Sequence, residues 1–137
     1  MSVSIVQSCD YNISEVIARS SVPDEEKRLS TFIARSEEVW FGLHDDQIAA
    51  IWGVIQPTVI SNRMYLWLFT TDLVDKHKFL LVRHSQLFID RVLKRYPVIV
   101  GHVSIRNDRA KRWLRWLGAE FGPIENQHFT FKIRRLS

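Results

Sequence analysis

A strand, a long helix and a second strand in direct succession, spanning 65–105, constrain this chain more than any other stretch. Residues 65–71 and 98–105 are apolar runs rich in β-forming residues. Between them a polar turn at 72–77 precedes an amphipathic pattern that predicts a helix ending near Arg95. Two strands joined by a helical crossover lie parallel in one sheet, and ligands collect at the carboxyl ends of such strands. We therefore expect any small-molecule site at the ends of these two strands.

The rest of the chain adds strands and helices on both sides of this unit. An alternating stretch at 3–8 predicts a strand, and two helices follow, one capped by Asp10 and one beginning near Pro23. The turn pair at 45–46 predicts a hairpin that begins a three-strand antiparallel meander. The predicted order is β-α-α-β-β-β-α-β-α-β-β. This order indicates one α/β domain over residues 1–137, with a mixed sheet of six or seven strands.

Helical spacing predicts which side chains face the core. The long helix is expected to bury one wide apolar face, formed by Leu80, Leu81, Leu87, Phe88, Ile89 and Val92. In the last helix Trp113 and Leu114 form a core face, and Trp116 is left for a partner. Arginines alternate with these tryptophans, a pattern that also suits nucleic acid. Core packing with solvated arginines is the preferred interpretation, so we do not expect a nucleic-acid partner.

Composition excludes several classes of protein. Hydrophobic residues make up 46% of the chain and the net charge is +4, which is ordinary for a globular domain. No apolar run approaches the ~20 residues that a membrane span needs. The histidines and the single cysteine show no metal-ligand spacing, and no nucleophile turn or phosphate-binding glycine loop occurs. We expect a cytoplasmic protein without a metal, because one cysteine fits a reducing compartment.

The whole order resembles the fold of the GCN5-related N-acetyltransferases (GNAT). Locally, Asn107 with Ala110 three residues later and Leu117-Gly118-Ala119 at the helix end resemble a segment of that family. The resemblance implies acetyl-CoA as cofactor and an amine as acceptor. A closer resemblance, carried by 67–74, 95–98 and 107–119, is to the internal virion protein A family of podophages. It implies a phage-encoded protein of the host cytoplasm or the virion, with a host or virion protein as partner.

The resemblance also implies where a cofactor would bind. In the family, pantetheine lies in a gap between the fourth and fifth strands, which makes Phe69, Thr70 and Thr71 candidate ligands. A glycine-rich turn at the start of the long helix binds the pyrophosphate, but residues 73–78 contain no glycine. Lys76, His77 and Lys78 are the candidate replacements by charge. The alternative is a capped helix with solvated lysines.

The catalytic groups of the family are largely missing. The position of its general-acid tyrosine, seven residues after the asparagine, is Leu114, and no carboxylate lies within 65–71 to act as base. His102 is the best titratable candidate, because imidazole titrates near neutral pH; the alternative is a structural histidine. Asn107 is a candidate cofactor ligand, and a helix cap is its alternative role. The leading function is an acetyl-CoA-dependent N-acetyltransferase, and the alternative is a non-catalytic protein that uses the fold to bind a partner.

Overall fold

The computed structural model describes residues 3–7, 11–12, 15–16, 26–76 and 78–134. The strands are β1 (Val3–Val6), β2 (Glu38–His44), β3 (Gln47–Ile55), β4 (Arg63–Thr70), β5 (Val98–Ser104), β6 (Glu120–Glu125) and β7 (His128–Arg134). The helices are α1 (Glu26–Arg35), α2 (Lys78–Arg95) and α3 (Asp108–Trp116), with a 3-10 helix at Asp72–Lys76. The predicted order is confirmed over the described residues. Most of the first predicted helix, including its cap Asp10, lies outside them.

One seven-stranded sheet organises the fold, in the order β1-β2-β3-β4-β5-β7-β6. β4 and β5 pair in parallel and the other neighbours pair antiparallel. Asp45 and Asp46 have φ angles of 49° and 66°, so the hairpin turn has the left-handed backbone that matches strand twist. The antiparallel meander and the parallel crossover are therefore both confirmed.

Helices cover both faces of this sheet. α2 and α3 pack on one face, around Leu81, Ile99 and Leu114, and Leu29 of α1 lies in the core of the other face. The wide face predicted for α2 is wrong in part, because Leu80 and Leu87 are 43% and 61% exposed. The face of α2 that is buried is narrower than the apolar face predicted from the sequence, so these two leucines lie at its edge.

α3 is fixed at its start and along its inner face. The Asn107 side-chain oxygen accepts a hydrogen bond from the Ala110 backbone N–H at 3.1 Å, which confirms Asn107 as the helix cap. The Trp113 indole donates to Ser85 Oγ of α2 at 2.8 Å, inside the core. Trp116 is 63% exposed, as expected.

Within the polar turn predicted at 72–77, residue 77 lies outside the described residues, and Asp72–Lys76 form a 3-10 helix with buried Leu73 and Val74. Thr71 anchors it: its backbone N–H donates to the Ala49 carbonyl at 2.9 Å, and its hydroxyl accepts from the Leu73 N–H at 3.3 Å. Two apolar side chains within the turn supply the burial that favours an ordered helix over a solvated loop.

β6 lies at one edge of the sheet. Its register against β7 shifts between Phe121 and Ile124, at Gly122 and Pro123. A proline in an edge strand removes no hydrogen bond from the sheet interior.

Among the described residues, no helix is both long and apolar enough to span a bilayer.

Candidate functional site

β4 and β5 are hydrogen-bonded only at their beginnings. The last pair is Tyr65 with Val100, and residues 66–70 and 101–104 beyond it are not paired with each other. We call this gap the wedge. Backbone N–H and C=O groups need partners when they are buried, so the two edges of the wedge offer binding groups to a ligand. Its position is the one that the resemblance implied.

Side chains from both faces of the sheet line the wedge. They come from α1, β4, β5, β7, and α3 with its cap: Arg28, Phe32, Trp67, Leu68, Phe69, Thr70, His102, Val103, Ser104, Asn107, Ala110, Leu114 and Phe131. The enclosed part measures about 30 Å³, and the groove measures about 510 Å³ with the space open to solvent. The enclosed part holds roughly two waters at ~10–15 Å³ each. A larger group must therefore part the strands or lie in the open groove.

Thr70 carries an unpaired polar atom at the wedge. The residue is 2% exposed, and its hydroxyl has no hydrogen-bond partner among the described residues. Burying a hydroxyl without a hydrogen-bond partner costs about 1–3 kcal/mol of stability, and such groups are rare in folded proteins. A polar ligand in the wedge would remove this cost.

Two other candidate ligands, Phe69 on β4 and Thr71 directly after it, make contacts within the protein. The Thr71 hydroxyl donates to the Ile48 carbonyl at 2.8 Å, and the side chain lines a different cavity, beside Gln47. Phe69 is 8% exposed and packs edge-on against Trp67 on the α1 side. The structure therefore brings Phe69 and Thr70 to the wedge and leaves Thr71 outside it.

Gly101 of β5 is needed for packing within the protein. A Cβ at this position would lie 2.4 Å from the Phe131 ring and 2.5 Å from the Leu66 carbonyl oxygen. The missing side chain lets this ring cross β5 at the point where pairing with β4 ends. The glycine therefore shapes the closed end of the wedge.

A second cavity of about 150 Å³ lies between α2 and α3. Arg109, Arg112 and Trp116 of α3 line it, with Phe79 of α2 and Asp75 of the 3-10 helix among the remaining residues. Asp75 Oδ2 lies 3.2 Å from Arg109 Nη2, and the Phe79 and Trp116 rings meet edge to face at 5.6 Å. Cations beside exposed aromatic rings suit a ligand with phosphate and a flat ring.

The basic candidates near the start of α2 are only partly described. Lys76 is exposed at the end of the 3-10 helix, and Lys78 begins α2. His77 lies outside the described residues, as does the side chain of Lys78. Asn107 lines the wedge, but its side-chain oxygen caps α3.

His102 lies beside the closed end of the wedge, on the α1 side of the sheet. Its Nδ1 is 3.1 Å from the Tyr65 hydroxyl, and its Nε2 is 4.0 Å from Glu125 Oε2. Burial is the largest cause that lowers the pKa of His102; Glu125 raises it, and Arg28 and His128 lower it. The net effect is a pKa below the usual range of histidine, which keeps the imidazole neutral at pH 7.

Sequence reasoning missed the partners of His102. Tyr65, Glu125 and His128 come from three different strands, and Arg28 Nη1 lies 2.8 Å from His128 Nε2. No local spacing connects these residues, so the sheet order alone brings them together. Among the described residues, no group of histidine, cysteine or acidic side chains could hold a metal ion.

No protein-family model matches the sequence, and neither does any curated protein. Solved structures resemble the fold closely. An acetyltransferase of Bacillus subtilis in complex with CoA has a TM-score of 0.68 at 10% identity, over 98% of this chain and 100% of its own. The ribosomal-protein-S18-alanine N-acetyltransferase of Escherichia coli has a TM-score of 0.67 at 14% identity, over 97% and 94%. The PaiA N-acetyltransferase of Thermoplasma acidophilum in complex with coenzyme A has a TM-score of 0.62 at 13% identity, over 98% and 100%.

These likenesses establish the fold. The chain has the mixed α/β acyltransferase fold of the GCN5-related N-acetyltransferases, as the order of its elements predicted. The resemblance to the podophage family stays a prediction.

Proposed function

We propose that this protein transfers an acetyl group from acetyl-CoA to an amine. The observation that carries the proposal is the wedge, where β4 and β5 separate after the Tyr65–Val100 pair. A separation of parallel strands in a sheet interior leaves hydrogen-bonding capacity unused, which is costly without a ligand. Neighbours of the same fold were solved with CoA bound, which supports a CoA thioester as that ligand.

The wedge fits the amide-bearing arm of the cofactor. Thr70 offers its unpaired hydroxyl there, and the unpaired backbone edges of both strands offer further donors and acceptors. Phe69 and Leu68 supply apolar contact on the two faces of β4. The mostly apolar lining with a few polar groups is the usual character of a small-molecule site.

The cavity between α2 and α3 fits the phosphate-bearing end. Thr70 lines the wedge, and Asp75, five residues later, lines this cavity, so one extended ligand can reach both. Arg109 and Arg112, with Lys76 nearby in the chain, would hold phosphate by charge in place of a glycine-rich turn. Asp75 opposes phosphate, but its ion pair with Arg109 is exposed and easily exchanged.

His102 is the candidate acceptor for the proton that the amine must lose. It lines the wedge, and its pKa below the usual range keeps it neutral and ready to take a proton. A reducing compartment such as the cytoplasm fits a protein with one cysteine.

The test is calorimetric titration of acetyl-CoA into the wild type and two variants. Thr70→Val replaces the orphan hydroxyl with a methyl group of similar shape. We expect it to weaken binding about tenfold, the loss of roughly one hydrogen bond, while the unfolding free energy stays constant or rises by up to about 1 kcal/mol. Asp75→Asn removes the opposing charge and should tighten binding.

Glu37→Gln is the matched charge control, because Glu37 is an exposed carboxylate between α1 and β2 and lines neither cavity. It should bind acetyl-CoA like the wild type. No binding by the wild type at millimolar acetyl-CoA would refute the proposed function. Equal affinity of the wild type and Thr70→Val would remove Thr70 from the site.

A second candidate function is partner binding without catalysis, in the host or the virion if the protein is phage-encoded. It is favoured by apolar side chains on the outer surface of α2 and α3: Phe79, Leu87 and Trp116 are more than 60% exposed. A wild type that binds no acetyl-CoA, but forms a complex that Leu87→Ser abolishes, would support this candidate over the enzyme.

A further inference from the structure

The hydrogen bond between Tyr65 and His102 spans the closed end of the wedge. Tyr65 belongs to the last backbone pair between β4 and β5, and His102 lies two residues beyond its partner Val100, so both side chains are on the same face. The two rings are 5.7 Å apart, and the hydroxyl lies 3.1 Å from Nδ1. The contact therefore joins the two strands where their backbones begin to separate.

The groups around His102 indicate which of its two ring nitrogens carries the hydrogen. Glu125 Oε2 faces Nε2 at 4.0 Å, and a carboxylate on that side favours the tautomer with hydrogen on Nε2. Nδ1 then carries the lone pair and accepts the hydrogen bond that the Tyr65 hydroxyl donates. The basic nitrogen of His102 is thus covered by Tyr65, and a proton reaches it through the phenol oxygen.

The charged groups near this pair come from three elements. Arg28 of α1 and His128 of β7 lower the pKa of His102, and Glu125 of β6 opposes them. Arg28 Nη1 lies 2.8 Å from His128 Nε2, and His128 Nδ1 lies 2.8 Å from the Asn126 carbonyl oxygen. His102 is therefore a neutral base with the positive charge of Arg28 nearby.

We infer that Tyr65 is the catalytic residue that exchanges protons with the reacting groups, and that His102 acts through it as a positioning residue. The inference rests on the proposed function. As the amine nitrogen bonds to the acetyl carbon and the carbon–sulfur bond breaks, the phenol oxygen takes the proton of the amine and passes its own to Nδ1. The same path returns a proton to the departing sulfur, so the products are an amide and a free thiol. Tyr65 thus supplies from a strand the phenol that is missing at Leu114 of α3.

The test compares wild type with Tyr65→Phe, which removes the hydroxyl and keeps the ring that packs 5.9 Å from Phe32. Tyr96→Phe is the matched control, since Tyr96 follows α2 and lies against Arg95 rather than at the wedge. The first readout needs no cofactor: nitrogen NMR of the His102 imidazole during a pH titration. We expect hydrogen on Nε2 in the wild type, because Glu125 faces that nitrogen. The His102 titration should shift in Tyr65→Phe, which removes the donor to Nδ1, and should not shift in Tyr96→Phe.

The second readout is turnover of acetyl-CoA with a panel of amines: a polyamine, a lysine peptide and a peptide with a free α-amino group. We expect kcat to fall at least about 100-fold in Tyr65→Phe, within the range for general acid–base catalysis, with the KM for acetyl-CoA changed less than about twofold. Tyr96→Phe should match the wild type.

Several outcomes would overturn the inference. A wild type with hydrogen on Nδ1, or a Tyr65→Phe variant with an unchanged kcat, rules out the proton path while leaving acetyl-CoA binding intact. If Tyr65→Phe lost affinity for acetyl-CoA at constant kcat, Tyr65 would have only a structural role, as a contact between β4 and β5. A wild type that binds no acetyl-CoA, or turns over none of the amines, removes the reaction itself.

Discussion

Replacement of Gly101 by alanine tests whether the closed end of the wedge is shaped by packing. The added Cβ would lie 2.4 Å from the Phe131 ring and 2.5 Å from the Leu66 carbonyl oxygen. The ring can shift by a small rotation, but the carbonyl belongs to the backbone of β4. β5 must therefore move away from β4, and the strain falls on the Tyr65–Val100 pair beside it.

The expected cost follows from these two contacts. Overpacking a core by one methyl group costs about 1–3 kcal/mol, and a clash with backbone places Gly101→Ala in the upper half of that range. For a chain of 137 residues, the entropy of unfolding converts about 2–3 kcal/mol into a fall of roughly 7–10 °C in Tm. The second variant Gly101→Ala with Phe131→Leu relieves only the ring contact and should recover part of the loss.

The assay is chemical denaturation followed by two probes, tryptophan fluorescence and circular dichroism, with coincident curves as the check on two-state unfolding. Gly122→Ala is the control, because its added Cβ would meet only the Thr130 hydroxyl at close range, and that side chain can rotate. A loss below about 0.5 kcal/mol for Gly101→Ala would refute the reasoning, since overpacking at a site that cannot yield must cost more.

Three further changes have clear expected results. Leu81→Ala should cost about 2–5 kcal/mol in denaturation, because Leu81 is 0% exposed, whereas Leu80→Ala beside it should cost far less; equal losses would contradict the narrow buried stripe of α2. Asn107→Ala should cost about 1 kcal/mol, since it removes the acceptor for the Ala110 N–H, and Asn107→Asp should retain most of the stability. Because the pKa of His102 is lower in the folded protein, the unfolded chain takes up the proton first as the pH falls. The contribution of His102 to the unfolding free energy is therefore complete above the unfolded pKa. It falls as the pH decreases through the unfolded and then the folded pKa. His102→Gln should remove that part of the slope as the pH falls below the unfolded pKa, and an unchanged slope in denaturation curves would disprove the shift.

The order of elements was predictable because each one carries its own local signal. The turn pair at Asp45 and Asp46 and the cap at Asn107 depend on neighbours within three residues, and both have the predicted structure. Strand pairing follows from the order of the elements, so the parallel contact of β4 with β5 was also predictable. Such features need no knowledge of the tertiary packing.

The details of the site depend on contacts between distant residues. Thr71 looked equivalent to Thr70, but its hydroxyl bonds to the carbonyl of Ile48, 23 residues away. The space beside Gly101 is occupied by the ring of Phe131, which lies on another strand. Tyr65 carried no signal at all, because its importance arises only from its contact with His102, 37 residues away.

The register shift in β6 limits how this protein can associate. A straight edge strand is a template for another chain, and two such edges would join sheets of neighbouring molecules without limit. Between Phe121 and Ile124 the pairing with β7 is interrupted, and Pro123 has no N–H to offer an incoming strand. A second sheet could therefore dock along only two or three residues at a time at this edge. At the other edge, β1 spans Val3–Val6 within the part of the chain that the structure describes. Each described edge of the sheet therefore offers an incoming strand only a short run of backbone hydrogen-bonding groups.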